Sequence, residues 1–255
     1  MLIVLSPAKT LDFTKTIHIK EHSEPVFINE AEMLVNKLQK LKPADLSSLM
    51  SISAKLADLN FERFIKWEKN HSQEHTKPSV FAFKGDVYVG LDVDSLSEEN
   101  LNFLNRNTRI LSGLYGILKP FDLIREYRLE MGAKLKNPKG ADLYKFWGNK
   151  ITKQVNEAIA ASDGEKVLIN LASNEYFKSI DKKELKFPVI TPVFKEFKDD
   201  GYKIVSFFAK KARGMMTRYI ARENIQKAED IKSFNLDGYV FNQELSKAKE
   251  WVFTR

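Results

Sequence analysis

The order of apolar and polar positions predicts a chain in which strands and helices are mixed from end to end. Short apolar runs indicate buried strands at residues 1–5 (MLIVL), 109–120 (RILSGLYGILKP, with a glycine-punctuated turn) and 166–173 (KVLINLAS). Apolar residues three and four positions apart predict helices over 30–41, over two segments between 44 and 67, after Ser97, and over 142–161. We therefore expect an α/β fold, a mixed sheet surrounded by helices, in a single domain spanning residues 1–255.

Two further segments favour paired strands. Residues 78–90 (PSVFAFKGDVYVG) have the pattern of a hairpin or strand pair broken at Lys84-Gly85-Asp86. Residues 187–197 and 202–208 are predicted to form a second pair, which turns at Asp200-Gly201.

A strongly basic helix is predicted from about Lys210, within KIVSFFAKKARGMMTRYIAR at 203–222, which holds six basic residues and no acidic one. Helical spacing places three cations in one narrow stripe, Lys211, Arg218 and Arg222. The adjoining face has the spacing of a core-facing stripe and carries Ala212, Met215, Met216, Tyr219 and Ile220. Gly214 lies near the cations and would let a bulky anion come close. The pattern favours a polyphosphate partner, most plausibly nucleic acid; the alternative is an ordinary solvated helix face.

Composition narrows the classes of protein. The chain of 255 residues is 43% hydrophobic and 29% charged, as in ordinary globular proteins, and its net charge of +7 favours anionic partners. The absence of cysteine excludes disulfides, iron–sulfur clusters, thiolate zinc sites and thiol catalysis. No window approaches eighteen apolar residues, and no basic region precedes the first apolar run. We expect a cytoplasmic protein that does not span a membrane.

Two strand ends carry candidate functional residues. The first strand runs into Ser6-Pro7-Ala8-Lys9-Thr10, and the strand at 166–173 runs into Ser173-Asn174-Glu175-Tyr176-Phe177-Lys178. Ligands collect outside the carboxyl ends of parallel strands, where helix amino termini present free N–H groups. We expect Ser173 to cap a short helix with Tyr176 in its first turn, and Lys9 and Lys178 to complete an anion site. Ordinary capping and turn chemistry is the alternative.

The helix pair between 44 and 67 suggests a second phosphate-binding element. Its turn, Met50-Ser51-Ile52-Ser53, resembles that of a helix-hairpin-helix, which holds backbone phosphates with N–H groups at a helix amino terminus. Ser53 is placed to cap the second helix, and Lys55 lies in its first turn. The turn lacks the glycines usual in that motif, so an ordinary helical hairpin is the alternative.

Three other patterns have structural explanations. Arg125 with Glu130, or Asp122 with Arg125, are candidate salt bridges rather than site residues. The aromatic cluster of Tyr144, Phe146 and Trp147 has the spacing of a core face, with a base-stacking platform as the alternative.

A possible metal motif is His71-Ser-Gln-Glu74-His75, which has the spacing of inverted zinc proteases. Its surroundings are polar and run into a proline, which opposes that interpretation. His18 and His22 lie in another polar stretch. We expect no metal and no cofactor.

Seven segments taken together resemble the YaaA family, the peroxide stress resistance proteins of bacteria. They occur in order from the first residue to about residue 242 and are LSPAKTLDF (5–13), FKGDVY (83–88), LSGLYGILKPFDLI (111–124), YRLEMG (127–132), LYKFWG (143–148), NLASNEYFKS (170–179) and FFAKKARGMMTRYI (207–220).

The resemblance implies a role in surviving hydrogen peroxide and in limiting free iron, hence Fenton damage. It implies DNA binding by an α/β fold particular to the family, with a positively charged cleft and a helix-hairpin-helix-like element, which would be Leu46–Leu59. It carries no catalytic assignment, so we lean away from an enzyme.

The sequence hypothesis is thus a DNA-binding protein, expected to be a monomer, that contacts phosphates with little sequence preference. The expected DNA-binding residues are Lys9, Ser53, Lys55, Lys84, Arg128, Lys178, Lys210, Lys211, Arg213, Arg218 and Arg222. The alternative is an enzyme acting on a nucleotide, nucleobase or other phosphate-containing small molecule near Ser6, Lys9, Ser173, Asn174 and Tyr176.

Overall fold

The computed structural model of the chain describes residues 1–15, 17, 19, 21–70 and 75–255. Its strands are β1 (Leu2–Leu5), β2 (Thr10–Leu11), β3 (Lys77–Pro78), β4 (Phe83–Lys84), β5 (Thr108–Ser112), β6 (Gly116–Leu118), β7 (Leu123–Ile124), β8 (Leu168–Leu171), β9 (Val189–Lys198), β10 (Gly201–Lys203), β11 (Val240–Lys247) and β12 (Glu250–Thr254). Its α-helices are α1 (Ile28–Leu38), α2 (Pro43–Met50), α3 (Ala54–Ile65), α4 (Ser79–Ala82), α5 (Asp86–Leu91), α6 (Glu98–Asn107), α7 (Leu143–Trp147), α8 (Lys150–Ala161), α9 (Asn174–Phe177) and α10 (Ser206–Arg222). Short 3-10 helices cover Val93–Ser95, Ala228–Ser233 and Leu236–Gly238.

Within the described residues, an eight-stranded sheet forms the centre of the fold, in the order β11-β12-β9-β8-β1-β5-β6, with β10 paired to β9. The neighbours from β12 to β5 are parallel, and the strands added beyond them are antiparallel. All four residues of β1 are fully buried, because the sheet is covered on both faces. The expected α/β class, a mixed sheet flanked by helices, is confirmed.

The order in which the chain adds strands to the sheet reverses beside β1. From β1 the chain continues to β5 on one side, whereas from β8, on the other side of β1, it continues to β9. The loops that leave β1 and β8 therefore diverge at their carboxyl ends. In open parallel sheets such a point is a topological switch point, where a ligand finds room between the loops.

Several predicted elements are confirmed. The strand with a glycine-punctuated turn is the β5–β6 hairpin, and the helix pair between 44 and 67 is α2 with α3. Ser97 caps α6 as expected, because its Oγ accepts the Asn100 N–H at 3.2 Å.

The hairpin predicted over 78–90 is wrong. The segment forms α4, the two residues of β4, and α5, which packs along α10. Val87, Tyr88 and Leu91 are buried on one face of α5, and Val89 is exposed on the other. Tertiary packing overrides the strand propensity of Val-Tyr-Val, since a missing Cβ lets the backbones of α5 and α10 touch.

Other boundaries also differ from prediction. The helix predicted over 142–161 is divided into α7 and α8 at Gly148, whose φ of +51° does not continue a helix. The strand predicted over 202–208 ends at Lys203, since α10 begins at Ser206, four residues before the expected Lys210. The strands β11 and β12 were not predicted, because their apolar runs, Val240-Phe241 and Trp251–Phe253, are only two and three residues long. No helix in the described part of the chain combines the length and apolar composition needed to cross a bilayer.

The α5–α10 contact depends on two glycines. A Cβ on Gly214 would lie 1.8 Å from the Val87 carbonyl oxygen, and a Cβ on Gly90 would lie 2.0 Å from the Lys211 carbonyl oxygen. This contact also corrects the expectation for Gly214, because the space beside it is filled by α5 and not open to an anion.

We predict that Gly214→Ala destabilises the protein by about 3 kcal/mol, the upper range for forcing atoms into a packed interior. Urea unfolding followed by circular dichroism measures the effect. Gly201→Ala is the matched control, because no atom lies within 4 Å of its added Cβ. Equal stability of the two variants would show that the α5–α10 contact yields without cost.

Asp122 is a buried carboxylate just before β7, with 3% of its surface exposed. Its Oδ1 accepts from Ser23 Oγ at 2.5 Å, and its Oδ2 accepts from the Lys119 N–H at 2.8 Å. Burial raises the pKa of Asp122 to about 6, although both hydrogen bonds act in the opposite direction.

We predict that Asp122 makes stability depend on pH between about 4 and 6. The folded state, with the raised pKa, takes up a proton in this window before the unfolded state does, so stability rises as the pH falls. Relative to Asp122→Asn, the free energy of unfolding of the natural chain should increase by roughly 2–3 kcal/mol from pH 7 to pH 4. Urea unfolding across this range, with the exposed Asp200→Asn as control, gives the comparison. Parallel curves for the natural chain and Asp122→Asn would refute the raised pKa.

Candidate functional site

The carboxyl ends of β1 and β8 meet at the switch point through two serines. The backbone N–H of Ser173 donates to Ser6 Oγ at 2.8 Å, and the Ser6 hydroxyl donates to Ser173 Oγ at 3.2 Å. Ser173 occupies the N-cap position of α9, but its side chain does not cap that helix, which corrects the expectation. The hydroxyl is instead engaged with Ser6, so the two strand ends are tied together.

The segment that follows β7 brings a carboxylate to the same edge of the sheet. Gly113, directly after β5, permits this approach, because a Cβ there would lie 2.2 Å from the Leu129 carbonyl oxygen. Glu130 Oε1 accepts from Arg128 Nε at 3.1 Å and Nη2 at 2.8 Å, and Lys9 Nζ lies 3.5 Å away. Together with the two serines, these residues form what we call the switch-point site: Ser6, Lys9, Arg128, Glu130 and Ser173.

Glu130 carries an unsatisfied acceptor. Its Oε2 is buried and has no hydrogen-bond partner among the residues that the structure describes. Only 15% of the side chain is exposed. Buried polar atoms in folded proteins are almost always paired, so this oxygen is an exception among the residues that the structure describes.

Three buried tyrosines lie next to the switch-point site. Tyr88 donates its hydroxyl to the Ser6 carbonyl oxygen at 3.1 Å, and the hydroxyls of Tyr127 and Ser112 are 2.7 Å apart. Burial raises the pKa of Tyr88, Tyr127 and Tyr176 far above the ordinary value, and Tyr127 and the Glu175 and Glu130 carboxylates raise that of Tyr176 further. All three therefore remain neutral phenols, suited to hydrogen bonding and unsuited to act as bases.

A basic cavity of about 560 Å³ lies on the other side of α9. Lys178 Nζ lies 5.0 Å from the centre of the Tyr144 ring, and Lys182 Nζ lies 5.6 Å from that of Phe177, so the aromatic faces hold both ammonium groups in place. We call this cavity the α9 basic pocket; the lining residues used below are Tyr144, Lys145, Phe177, Lys178, Asp181 and Lys182.

The lysines of this pocket carry available charge. Within the described ranges, none of Lys145, Lys178 and Lys182 has a carboxylate within 4 Å. Asp181 contributes one negative charge to the lining, and its Oδ1 accepts the Lys183 N–H. The pocket therefore keeps an excess of positive charge that faces solvent.

The α9 basic pocket and the switch-point site are neighbours across one turn of helix. Ser173 belongs to the site, and the next residue, Asn174, lines the pocket. Tyr144, in the pocket lining, donates its hydroxyl to the Glu175 carbonyl oxygen at 2.9 Å, which ties α7 to α9.

The predicted cation stripe on α10 is largely occupied by acids of its own chain. Lys211 Nζ lies 3.5 Å from Asp237, and Arg218 Nη1 lies 3.4 Å from Asp92 Oδ2. The same guanidinium donates to the carbonyl oxygens of Leu91 and Asp92 at 3.1 and 2.8 Å and so closes the carboxyl end of α5. Lys211 and Arg218 therefore form contacts that stabilise the packing of α10 on its neighbours.

The remaining basic residues of α10 differ from one another. Lys210 Nζ is 3.9 Å from Asp86 Oδ2. Burial lowers the pKa of Arg213, which has no carboxylate partner among the described residues. Arg222 is exposed at the last turn. Of the predicted stripe, Arg222 is therefore the most open to a partner.

In the α2–α3 turn, Ser53 caps α3 as expected. Ser51 adopts a left-handed conformation, with φ +52°, and Ser53 Oγ accepts the Leu56 N–H at 3.4 Å. Lys55 is exposed in the first turn of α3, where the amino-terminal N–H groups have no partner within the helix. This turn lies in a different neighbourhood, because α3 packs on α1 and α2 whereas α10 packs on α5, α6 and β9.

Lys84 is paired at the edge of the β2–β4 ribbon. Its Nζ lies 3.1 Å from Asp12 Oδ2. Hydrogen bonds from Thr14, and then from Lys84, hold the pKa of Asp12 well below its ordinary value. The charge of Lys84 is thus already balanced, whereas Arg128 and Lys9 share the single negative charge of Glu130.

The other sequence interpretations have mixed outcomes. Arg125 pairs with Glu68 at 3.0 Å, and not with Glu130 or Asp122 as expected. Phe146 and Trp147 are core residues, whereas Tyr144 lines the α9 basic pocket. The His71–Glu74 part of the zinc-like motif, and His18, lie outside the described residues. In the part of the chain that is described, no group of three or more histidine or acidic side chains is placed to hold a metal ion.

Sequence reasoning missed Lys145, Lys182 and the open oxygen of Glu130. Lys145 and Lys182 belong to separate segments whose charges are unremarkable until the fold joins them at α9. Glu130 lies in the noted segment YRLEMG, but only the folded structure shows that Oε1 is hydrogen-bonded and Oε2 is buried without a partner in the described chain.

Comparison with known proteins gives one consistent result. Residues 1–245 match the family described as peroxide stress protein YaaA. A UPF0246 protein of Shewanella sp. (strain ANA-3) is 51% identical over 255 residues, which cover 100% of this chain and 99% of that protein. UPF0246 proteins of Colwellia psychrerythraea and of Aliivibrio fischeri (strain ATCC 700601 / ES114) are 49% and 50% identical over the same length, covering 99% and 98% of those proteins. The resemblance seen in the sequence is thereby confirmed, and the chain belongs to the family of the peroxide stress protein YaaA.

Proposed function

We propose that this protein binds duplex DNA in the peroxide stress response, through phosphate contacts centred on the α9 basic pocket. The observation that carries the proposal is the set of three lysines there, which have no carboxylate partner in the described chain. Membership of a peroxide stress family and the net charge of +7 support it. Binding of this kind belongs in the cytoplasm, where it would limit iron-driven oxidative damage to the DNA.

Available charge, and not total charge, is what attracts a phosphate. A cation already paired with a carboxylate must lose that partner or share it, and the carboxylate repels the incoming phosphate. The three lysines of the α9 basic pocket do not have this energetic cost. It applies to four cations that face acids of the chain: Lys84, Lys210, Lys211 and Arg218. We therefore assign the main contacts to the α9 basic pocket and secondary contacts to α10.

The α2–α3 turn supplies a further contact in this proposal. The free N–H groups at the start of α3 and the exposed Lys55 suit a backbone phosphate, with Ser53 fixing the turn. Contacts of these types read no base, so sequence preference is weak. The proposal takes the protein to bind as a monomer.

We predict micromolar or tighter binding of duplex DNA with a log–log salt slope of roughly −4 to −5, if five side chains neutralise phosphates. Fluorescence anisotropy of the full chain across a salt series measures both quantities. Binding that does not respond to salt would rule out a phosphate-dominated interface.

We predict that a Lys145→Ala/Lys178→Ala/Lys182→Ala variant loses at least about tenfold in affinity, with a slope less steep by about 3. The matched control is Lys227→Ala/Lys247→Ala/Lys249→Ala, which removes the same charge from exposed positions elsewhere. A Lys210→Ala/Lys211→Ala variant should have a smaller effect, because both lysines face acids. If the α10 variant weakens binding more than the α9 variant, the main interface lies on α10.

A second candidate function is an enzyme acting on a nucleotide, nucleobase or other phosphate-containing small molecule at the switch-point site. The contact between Ser6 and Ser173 at the carboxyl ends of β1 and β8 favours it, because this is where parallel sheets bind ligands. The neutral tyrosines give no base, so Glu130 would have to move any proton. Turnover of a nucleotide that is abolished by Glu130→Gln would favour this function; binding without turnover would not.

A further inference from the structure

The α9 basic pocket carries more positive charge than an internal DNA phosphate can balance. Its charged lining residues are Lys145, Lys178, Lys182 and Asp181, three cations and one anion, so two positive charges are left over. A phosphate within a DNA strand is a diester with a single negative charge. A phosphate at the end of a strand is a monoester, which carries a charge of about −1.5 to −2 at pH 7. The terminal phosphate therefore matches the charge of the pocket more closely.

The shape of the pocket also favours the end of a strand. Its volume of about 560 Å³ is in the range of cavities that enclose one small ligand. The lining comes from Tyr144 and Lys145 of α7, and from Phe177 of α9 with Lys178 and Lys182 after it. An internal phosphate continues into a sugar on both sides, so in a duplex it reaches only the rim of a concave site. A terminal phosphate has one covalent neighbour and can enter.

The ammonium groups of the pocket suit a group with three terminal oxygens. Aromatic faces hold Lys178 over Tyr144, at 5.0 Å, and Lys182 over Phe177, at 5.6 Å. Side chains that are held in place before binding lose less conformational freedom when a ligand arrives. A phosphate monoester has three terminal acceptor oxygens, one for each lysine of the pocket, whereas a diester has two.

We infer that the α9 basic pocket holds the terminal phosphate of a DNA strand, so that the protein binds strand breaks in preference to intact duplex. The inference rests on the proposed function and narrows its substrate, with the α2–α3 turn and α10 contacting internal phosphates beside the break. Attack of hydroxyl radicals on deoxyribose breaks DNA strands and leaves phosphate monoesters at the break. Such ends are the damage that a peroxide stress protein would meet.

DNA hairpins with a single open end test the inference. The open end carries hydroxyl groups only, a 5′-phosphate or a 3′-phosphate, and a dumbbell closed at both ends serves as intact duplex. Anisotropy of a fluorophore in the loop gives the affinity of the full chain for each form at one salt concentration. We expect at least one phosphorylated end to bind about tenfold more tightly than the hydroxyl end, because the added charge faces three lysines.

Three variants assign this preference to the pocket. It should disappear when Lys145, Lys178 and Lys182 are all replaced by alanine. It should persist when the same three residues are replaced by arginine, which keeps the charge and also binds phosphate. It should also persist in the Lys227→Ala/Lys247→Ala/Lys249→Ala control, which removes three exposed charges elsewhere. A preference that the pocket alanine variant retains would place the terminal phosphate at another site and overturn the inference.

The affinities for the different forms separate this inference from the proposed function. Equal binding of the dumbbell, the hydroxyl end and both phosphorylated ends would overturn the inference and leave duplex binding in place. Failure of every form to bind would overturn both. Thymidine 5′-monophosphate as a competitor distinguishes a strand end from a free phosphate monoester. We expect displacement only at millimolar concentration, because the nucleotide lacks the contacts to the duplex; displacement at the concentration where the phosphorylated hairpin binds would overturn the assignment to a DNA strand.

Discussion

The parallel pairing of β1 with β5 on one side and β8 on the other is the constraint on which the candidate site depends. Because the chain leaves β1 and β8 in opposite directions, their carboxyl ends stay open, and Ser6 and Ser173 meet there. Gly113 at the end of β5 then lets the backbone at Leu129 lie against the same edge, and so delivers Glu130. Three remote parts of the sequence thus converge at this edge of the sheet.

The basic residues of α10 and those around α9 differ in their pairing. Lys210, Lys211 and Arg218 face acids of the chain, and Arg218 also joins α10 to the end of α5 through two carbonyl oxygens. Those around α9 are held by aromatic rings and face solvent without acidic partners in the described chain. The densest run of positive charge in the sequence is therefore not the most available charge in the fold.

The sequence correctly predicts the elements that depend on short-range periodicity. The buried run of β1, the helices α2 and α3 and the Ser97 cap all follow from neighbouring residues. The α5 helix was missed because its conformation depends on Gly214, far along the chain, and the pairing of Arg218 was missed because its partners are 126 and 127 residues away. The strand ends at Ser6 and Ser173 were found from the rule for parallel sheets. The unpaired, buried oxygen of Glu130 could not be predicted, because it depends on contacts between residues far apart in the sequence.

The most direct test of a binding face around α9 is hydrogen–deuterium exchange of the full chain with and without duplex DNA. We expect slower exchange in residues 142–148 and 172–186 on binding, with a smaller change in 206–222. Protection confined to 206–222, with the segments around α9 unchanged, would contradict the account and place the interface on the α10 stripe.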